Sequence, residues 1–405
     1  MLNTIDLFAG CGGLTEGFKK SGFYRMLAAV EWDKDAHSTL VNRLENHYEY
    51  KDAEQRCILA DIQDTDSLIH GKNSIDQFPI HQGLNNLIKD QKVDVIIGGP
   101  PCQAYSIAGR IRDENGMHDD YRNYLFESYM AVVNHFKPSA CIFENVPGML
   151  SASPGGVSII ERISHAFQSS GYVISSNIKN QAMFDVSEFG VPQKRKRVII
   201  AAFHENVFTN PEKIIKKFYK NLGLERSTSI STVDDAIGHL PKFYPLSSAI
   251  GRKSHQTDGL NLVADHEPRF HNQRDIEIFK MLANDIATGR AKYTSTDALK
   301  TLYTEKTGKT SSVHKYYVLR REQPSNTIPA HLYKDGLRHI HPDPNQARSI
   351  TVREAACLQS FDRDFDFLGS NGSKYKMIGN AVPPLFSLKI AKALNTVMRK
   401  ESRLE

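Results

Sequence analysis

Cysteine is scarce: Cys11, Cys57, Cys102, Cys141 and Cys357 are five in 405 residues, an odd number with no C-x-x-C pair among them. A disulfide framework and a structural zinc site are therefore not expected, and no metal is assigned. No apolar run reaches the ~18 residues needed to cross a bilayer, and the first residues lack the basic, apolar, small-residue order of a secretory signal. The expectation is a cytoplasmic protein with no membrane partner. No fixed-period repeat or low-complexity tract occurs, which argues against solenoids and disordered tails. Tryptophan is present once, as Trp32.

What is present has an uneven charge. The formal net charge is +5, yet residues 1–150 hold 14 basic and 21 acidic side chains, whereas the remainder holds 37 and 25. The second part is thus the one that fits a polyanion. Hydrophobic residues at 40% and charged residues at 24% are ordinary for a globular chain, and the length allows two or three domains.

Over the first 200 residues, short β-rich apolar runs near 4–8, 26–31, 57–60, 93–97, 141–143, 172–178 and 198–203 alternate with loops and helical periodicity. That rhythm predicts a doubly wound α/β sheet. Leu125, Tyr129, Val132 and Phe136 share one face of a crossover helix. From about 206 to 345 the rhythm is lost and the chain becomes basic and turn-rich, as expected of a second domain. Thr351-Val-Arg-Glu354 has the spacing of a capping box, and Leu385, Leu388, Ala391, Leu394 and Met398 predict a last helix that docks back on the first domain. The boundaries are accordingly 1–205 plus 346–405 for one domain and 206–345 for the other.

Asp6-Leu-Phe-Ala-Gly-Cys-Gly-Gly13 follows the first strand, and its glycines let the backbone turn tightly beside a ligand. It is not the dinucleotide fingerprint, because Thr15 stands where a third glycine would. Glu31 closes the second strand, where a carboxylate accepts from ribose hydroxyls. Trp32 after it has two readings, a ring stacked on adenine or a core residue. Asp61 ends the third strand, where it suits an exocyclic amine. An adenosine site without a pyrophosphate cradle fits S-adenosyl-L-methionine better than NAD.

Gly98-Gly-Pro-Pro-Cys-Gln-Ala-Tyr-Ser106 follows the fourth strand, and two prolines in series stiffen the turn that carries Cys102. A thiolate is the natural nucleophile for an electron-poor carbon, and the alternative is an inert small residue. Residues 104–122 are polar and glycine-containing, as in a lid over a site. Glu144-Asn145-Val146 ends the fifth strand and puts a carboxylate at the same edge, able to donate a proton in a dry pocket or to serve a loop structurally. In Gln193-Lys-Arg-Lys-Arg197, alternate residues of an extended segment share a side, so Arg195 and Arg197 face together toward the pocket or toward solvent.

These motifs, with Arg353-Glu354, Leu358-Gln359-Ser360-Phe361 and Gly379-Asn380-Ala381-Val382, stand in the order found in the DNA (cytosine-5) methyltransferases, which the chain resembles except over about 206–345. The resemblance implies a Rossmann-like S-adenosylmethionine-dependent methyltransferase sheet plus a smaller target-recognition domain, with duplex DNA between them. It implies that Cys102, Glu144, Arg195 and Arg197 are catalytic: Cys102 adds to cytosine C6, Glu144 meets N3 and the amine, Arg197 meets O2, and Arg195 supports the catalytic loop. It further implies that Phe8, Gly10, Gly12, Gly13, Glu31, Trp32, Asp61, Ile62, Pro100, Leu125, Asn380 and Val382 hold the cofactor, released as S-adenosyl-L-homocysteine. Restriction-modification enzymes of prokaryotes have this compact size. A monomer near the nucleoid is expected, with a cognate restriction endonuclease acting beside it without direct contact. A transfer-RNA methyltransferase would carry an added cysteine in the variable region, where this chain has none between Cys141 and Cys357. An amino-group methyltransferase would have an aromatic in place of Cys102, and a catalytically dead DNA-binding regulator would lack the nucleophile and its supports.

Overall fold

The computed structural model describes residues 1–75, 77–101, 125–153, 156–257, 259, 263–334 and 336–401. Two compact units partition the chain. One comprises Met1–Gly190, Arg195–Thr228 and Ala381–Glu405, and the other Val191–Lys194 and Ser229–Asn380.

The first unit is built on an eight-stranded sheet of β1 (Leu2–Leu7), β2 (Tyr24–Glu31), β3 (Cys57–Leu59), β4 (Val95–Gly98), β5 (Ala140–Asn145), β6 (Tyr172–Ile174), β7 (Met183–Asp185) and β8 (Lys196–His204). The order is β3-β2-β1-β4-β5-β8-β6, and β7 also pairs with β8. Strands β1 to β5 are mutually parallel, whereas β8 runs antiparallel to β5, β6 and β7. The chain moves outward from β1 to β3 and then returns to lay β4 on the other side of β1. That reversal opens a crevice at the carboxyl ends of β1 and β4, the place where open α/β sheets bind ligands. Ile5, Leu7, Val95, Ile96, Ile142, Val198, Ile199 and Ile200 are fully or almost fully buried, which explains why these strands read as continuous apolar runs.

Four features depart from the sequence expectation, the first being that residues 346–380 fall in the second unit rather than with the first domain. The strand begun at Tyr172 stops at Ile174, because the Ser175 hydroxyl accepts the Asn177 N–H at 3.0 Å and turns the chain into a short helix, Ile178–Gln181. Strand β7 has only three residues and exposes Met183, so no alternation announces it. Residues 206–228 belong to the first unit: Asn210 caps the helix Pro211–Leu224, whose Tyr219 hydroxyl donates to the Ile199 carbonyl at 2.9 Å. The last helix, Pro384–Glu401, lies against the helix Gly13–Lys20, with the Ser387 hydroxyl donating to Leu14 O at 2.7 Å and the Tyr24 hydroxyl to Ala391 O at 2.9 Å.

The second unit contains a hairpin of β9 (Phe243–Ile250) and β10 (Lys253–Thr257) and an apolar cluster around Phe279, Leu282, Leu302 and Tyr316. The helix Val352–Leu358 starts where Thr351 forecast it, with Thr351 and Glu354 exchanging both capping bonds. Arg348, wholly buried, grips Glu354 with two nitrogens at 2.7 Å each. Burial alone would raise the Glu354 carboxyl. The Arg348 charge and hydrogen bonds hold it far below the usual range instead. Around the pair, burial keeps the histidines neutral, His255 pushed down to about 4 and His271 and His341 to about 3.

Two outcomes follow for stability. A Cβ at Gly17 would lie 2.4 Å from Leu388 N and 2.5 Å from Pro384 O. Alanine gains up to about 1 kcal/mol in helix propensity, but overpacking costs typically 1–3 kcal/mol. Gly17→Ala is therefore expected to lower the melting temperature by several degrees, and a rise would refute the close packing of these helices. A neutral buried histidine stays unprotonated when the unfolded chain, with a histidine pKa of about 6.5, takes up a proton, so it opposes folding as pH falls from there to its own value, by up to about 1.4 kcal/mol per pH unit. His271→Gln should thus show a smaller drop in melting temperature between pH 7.5 and 5 than the unsubstituted chain; an equal drop would mean that His271 is protonated in the fold.

Candidate active site

The loop after β1 is shaped by backbone. Phe8, Gly10 and Gly12 take left-handed φ values of 61°, 58° and 94°, which curl it tightly, and a non-glycine residue in this region is a strained one. A side chain fixes the curl: the Gly10 N–H donates to Glu31 Oε2 at 2.7 Å and the Asp33 N–H to Glu31 Oε1 at 2.8 Å. Burial pushes the Glu31 carboxyl up, against the lowering effect of these backbone donors. Space around Gly10 is open, with nothing within 4 Å of a Cβ there, whereas a Cβ at Gly13 would strike the Val382 carbonyl at 2.3 Å. Gly10 therefore gives a ligand room to approach, and Gly13 gives it to the chain.

Neighbouring strand ends continue the edge. The Ala60 N–H donates to Glu31 O at 3.0 Å, and Asp61 follows with one oxygen accepting the Gln63 N–H at 3.0 Å. Trp32 is 53% exposed, which removes the core reading and leaves its indole free to meet a planar ligand. Ile62, Leu125 and Val382 are buried, as is Pro100. Curled amides, open space at Gly10, two strand-end carboxylates and an exposed indole fit an adenosine with an amino-acid tail.

Farther along the edge, Glu144 and Arg197 make a buried ion pair, Arg197 Nε to Glu144 Oε1, at 2.6 Å. Burial raises the Glu144 carboxyl, while Arg197 and then Arg195 pull it back. Arg195 is 2% exposed; burial and the Arg197 charge push its guanidinium well below the ordinary value, and its Nη2 donates to Ala381 O at 3.3 Å. Lys194 and Lys196 are exposed between buried Gln193, Arg195 and Arg197, so the alternation is the one the sequence pattern implies. The Gly99 backbone lies against this pair, since a Cβ there would sit 2.8 Å from Glu144 Oε2. The strand carrying Glu144 is three sheet steps from that of Glu31, about 14 Å.

Cys102, Ser106 and the expected lid through Arg122 lie outside the described residues. Asn380 ends the helix Asn371–Asn380 in the second unit and is exposed. Gln193 also belongs to that unit, bonding Gln359 and, at 2.9 Å, the Ile328 N–H, so the Gln-x-Arg-x-Arg motif serves both units. Arg353 and Glu354 prove to be scaffold: Arg353 is wholly buried and donates to Ala264 O at 2.9 Å and Phe365 O at 3.0 Å.

One polar element escaped the sequence reading. Asp6 is wholly buried and accepts the Thr15 hydroxyl at 2.6 Å; burial pushes its carboxyl up to about 7, Thr15 lowering and Glu31 raising it. The clue was available, because Thr15 occupies the place of the missing third glycine.

Residues 2–396 match the family model for C-5 cytosine-specific DNA methylases. Among curated relatives, the Type II methyltransferase M.Bpa9945I of Bacillus paralicheniformis is 33% identical over 97% of this chain and 98% of its own length. M1.HphI of Haemophilus parahaemolyticus, also a Type II methyltransferase, is 30% identical over 97% and 86%. Among solved structures, a prophage-encoded E. coli protein described as a candidate DNA modification methyltransferase superposes with a TM-score of 0.60 at 22% identity, covering 99% of this chain and all of that one. At such identity the superposition speaks for the fold alone, and it agrees with the mixed α/β methyltransferase sheet. A family match over nearly the whole length settles the relationship: the chain belongs to the C-5 cytosine-specific DNA methylases and is a DNA cytosine-5-methyltransferase.

Proposed function

We propose that this enzyme methylates C5 of a cytosine flipped out of a specific duplex DNA sequence, through a covalent bond from Cys102 to C6, and protects host DNA in a restriction-modification system. The observation that carries the reading is the buried Glu144–Arg197 pair at 2.6 Å, set at the sheet edge beside Gly99, three residues before Cys102. The Type II methyltransferase names of the relatives support the biological setting.

Cytosine C5 is too weak a nucleophile to take a methyl group unaided. The Cys102 thiolate adds to C6, and electron density moves through the ring to C5. Glu144, its carboxyl raised by burial, contacts N3 and the exocyclic amine and stabilises that shift. Arg197 meets O2 while holding Glu144, and Arg195, anchored on Ala381, supports the loop. S-adenosyl-L-methionine supplies the electrophilic methyl group when bound and leaves as S-adenosyl-L-homocysteine. Phe8, Gly10, Glu31, Trp32, Asp61 and Val382 of the first unit would hold it, and the family motif adds Asn380. Loss of the C5 proton and expulsion of the thiolate then release 5-methylcytosine. Because Cys102 cannot reach C6 within a base stack, the base must be extruded, at a cost of a few kcal/mol.

Cys102→Ser is expected to abolish both methyl transfer to duplex DNA and covalent trapping by 5-fluorocytosine DNA; turnover near the original rate would exclude Cys102 as nucleophile. Glu144→Gln should slow methyl transfer by roughly 100-fold or more while leaving DNA affinity little changed, as read by single-turnover kinetics beside equilibrium binding. Equal losses in both would make Glu144 a structural residue.

A further inference from the structure

Within the second unit the β9–β10 hairpin has an anchored foot and a free tip. At the foot, His255 is buried, with Nε2 3.0 Å from Gln346 O and Nδ1 2.9 Å from the Ser254 hydroxyl, and the Phe243 N–H donates to Gln346 Oε1 at 3.1 Å. Toward the tip, all seven residues from Ser247 to Lys253 are exposed on both faces of the ribbon. The register explains why. Between the pairs Ile250↔Lys253 and Pro245↔His255, β9 holds four residues against one in β10, so the longer strand bulges outward and re-aims the turn. Gly251 makes that turn with φ +59°, and nothing lies within 4 Å of where its Cβ would be. Among the described residues, neither the Arg252 nor the Lys253 side chain makes a hydrogen bond or ion pair.

We infer that this hairpin tip reads the DNA target, Arg252 contacting a base edge and Lys253 a phosphate. The inference rests on the DNA-methylating function proposed above. Three properties favour it. A two-stranded ribbon fits the major groove of B-DNA, about 12 Å wide. Short side chains at Ser247, Ser248 and Ala249 let the backbone come close to the groove walls. Two uncommitted cations at the apex complement the polyanion, and an arginine fork matches the O6 and N7 acceptors of guanine. Two other residues of base-reading type are otherwise engaged: His255 is buried in the foot, and Arg274 pairs with Asp275 at 3.0 Å.

The test uses the full chain. Methylation-sensitive sequencing of DNA from cells expressing it gives the target sequence, and Arg252→Ala, Arg252→Lys and Lys253→Ala are then compared on the cognate duplex and on duplexes with single base-pair substitutions. Both Arg252 variants should bind the cognate duplex about tenfold or more weakly, bind one particular substituted duplex as the original protein does, and methylate a wider set of sites. Lysine keeps the charge but not the fork, so full discrimination in Arg252→Lys would overturn base reading. Lys253→Ala should weaken all duplexes alike. Undiminished discrimination in both Arg252 variants, beside normal methylation by the original protein, overturns the hairpin assignment alone. Failure of the original protein to methylate any DNA cytosine overturns the parent function and this inference together. An unchanged melting temperature checks that the exposed tip is not a folding element.

Discussion

A single carboxylate organises the sheet edge proposed to hold the cofactor. Glu31 stands at the end of β2, and its two oxygens take the N–H groups of Gly10 at 2.7 Å and Asp33 at 2.8 Å. The loop after β1 and the turn after β2 are thereby fixed to each other before any ligand arrives. Buried backbone donors without partners are costly, so the loop keeps this shape only while the acceptor is in place. An ionised carboxylate retains further lone pairs for ribose hydroxyls, so positioning the loop and holding adenosine are compatible in one residue. Trp32 and Asp61 inherit their placement from the same edge, one adjacent in sequence and the other through the Ala60 bond to Glu31 O.

The proposed catalytic edge depends on strand direction rather than on loop shape. Strands β1 to β5 point the same way, so each delivers only its carboxyl end to the working edge. Strand β8 is antiparallel to β5 and brings its amino end there, which sets Arg197 beside Glu144, whose own register partner is Ile199. A parallel strand in that position would have carried both arginines to the far side of the sheet. The same pairing buries them, and the low dielectric that raises Glu144 also strengthens its attraction to Arg197. Burial thus raises the Glu144 carboxyl while Arg197 and then Arg195 pull it back, an opposition that suits the role proposed for it beside a cytosine ring.

Much of this was legible in the residues. Parallel strands buried on both faces leave long apolar runs, the capping box of Thr351 and Glu354 is a local rule, and alternation separates Arg195 and Arg197 from Lys194 and Lys196. Features decided by contacts far apart in sequence were not legible. Strand β7 is three residues on an already formed neighbour, and residues 206–228 join the sheet because Ile214, Ile215, Phe218 and Tyr219 find their partners there. The lysine-rich look of that helix reflected only its outer face, at Lys213, Lys216 and Lys220. His255 is a foundation of the hairpin only because it is buried, which its place in a basic, turn-rich stretch does not disclose. Asp6 was hidden in the opposite way, since a motif read for its glycines draws attention from the carboxylate that opens it.

Gln346 joins the second unit's buried chemistry to its free surface. Its side-chain oxygen accepts from Arg348 at 2.6 and 3.2 Å and from the Phe243 N–H at 3.1 Å, while its backbone carbonyl faces His255. The ionic core of Arg348 and Glu354 is thus bonded to both strands of the hairpin at their foot. Buried ion pairs of this kind contribute little net stability, but removing one partner typically costs 3–5 kcal/mol, so they are strict about geometry. A recognition arm gains from that strictness. The entropy of holding its base has already been lost in folding, and only the tip remains to be ordered when DNA binds.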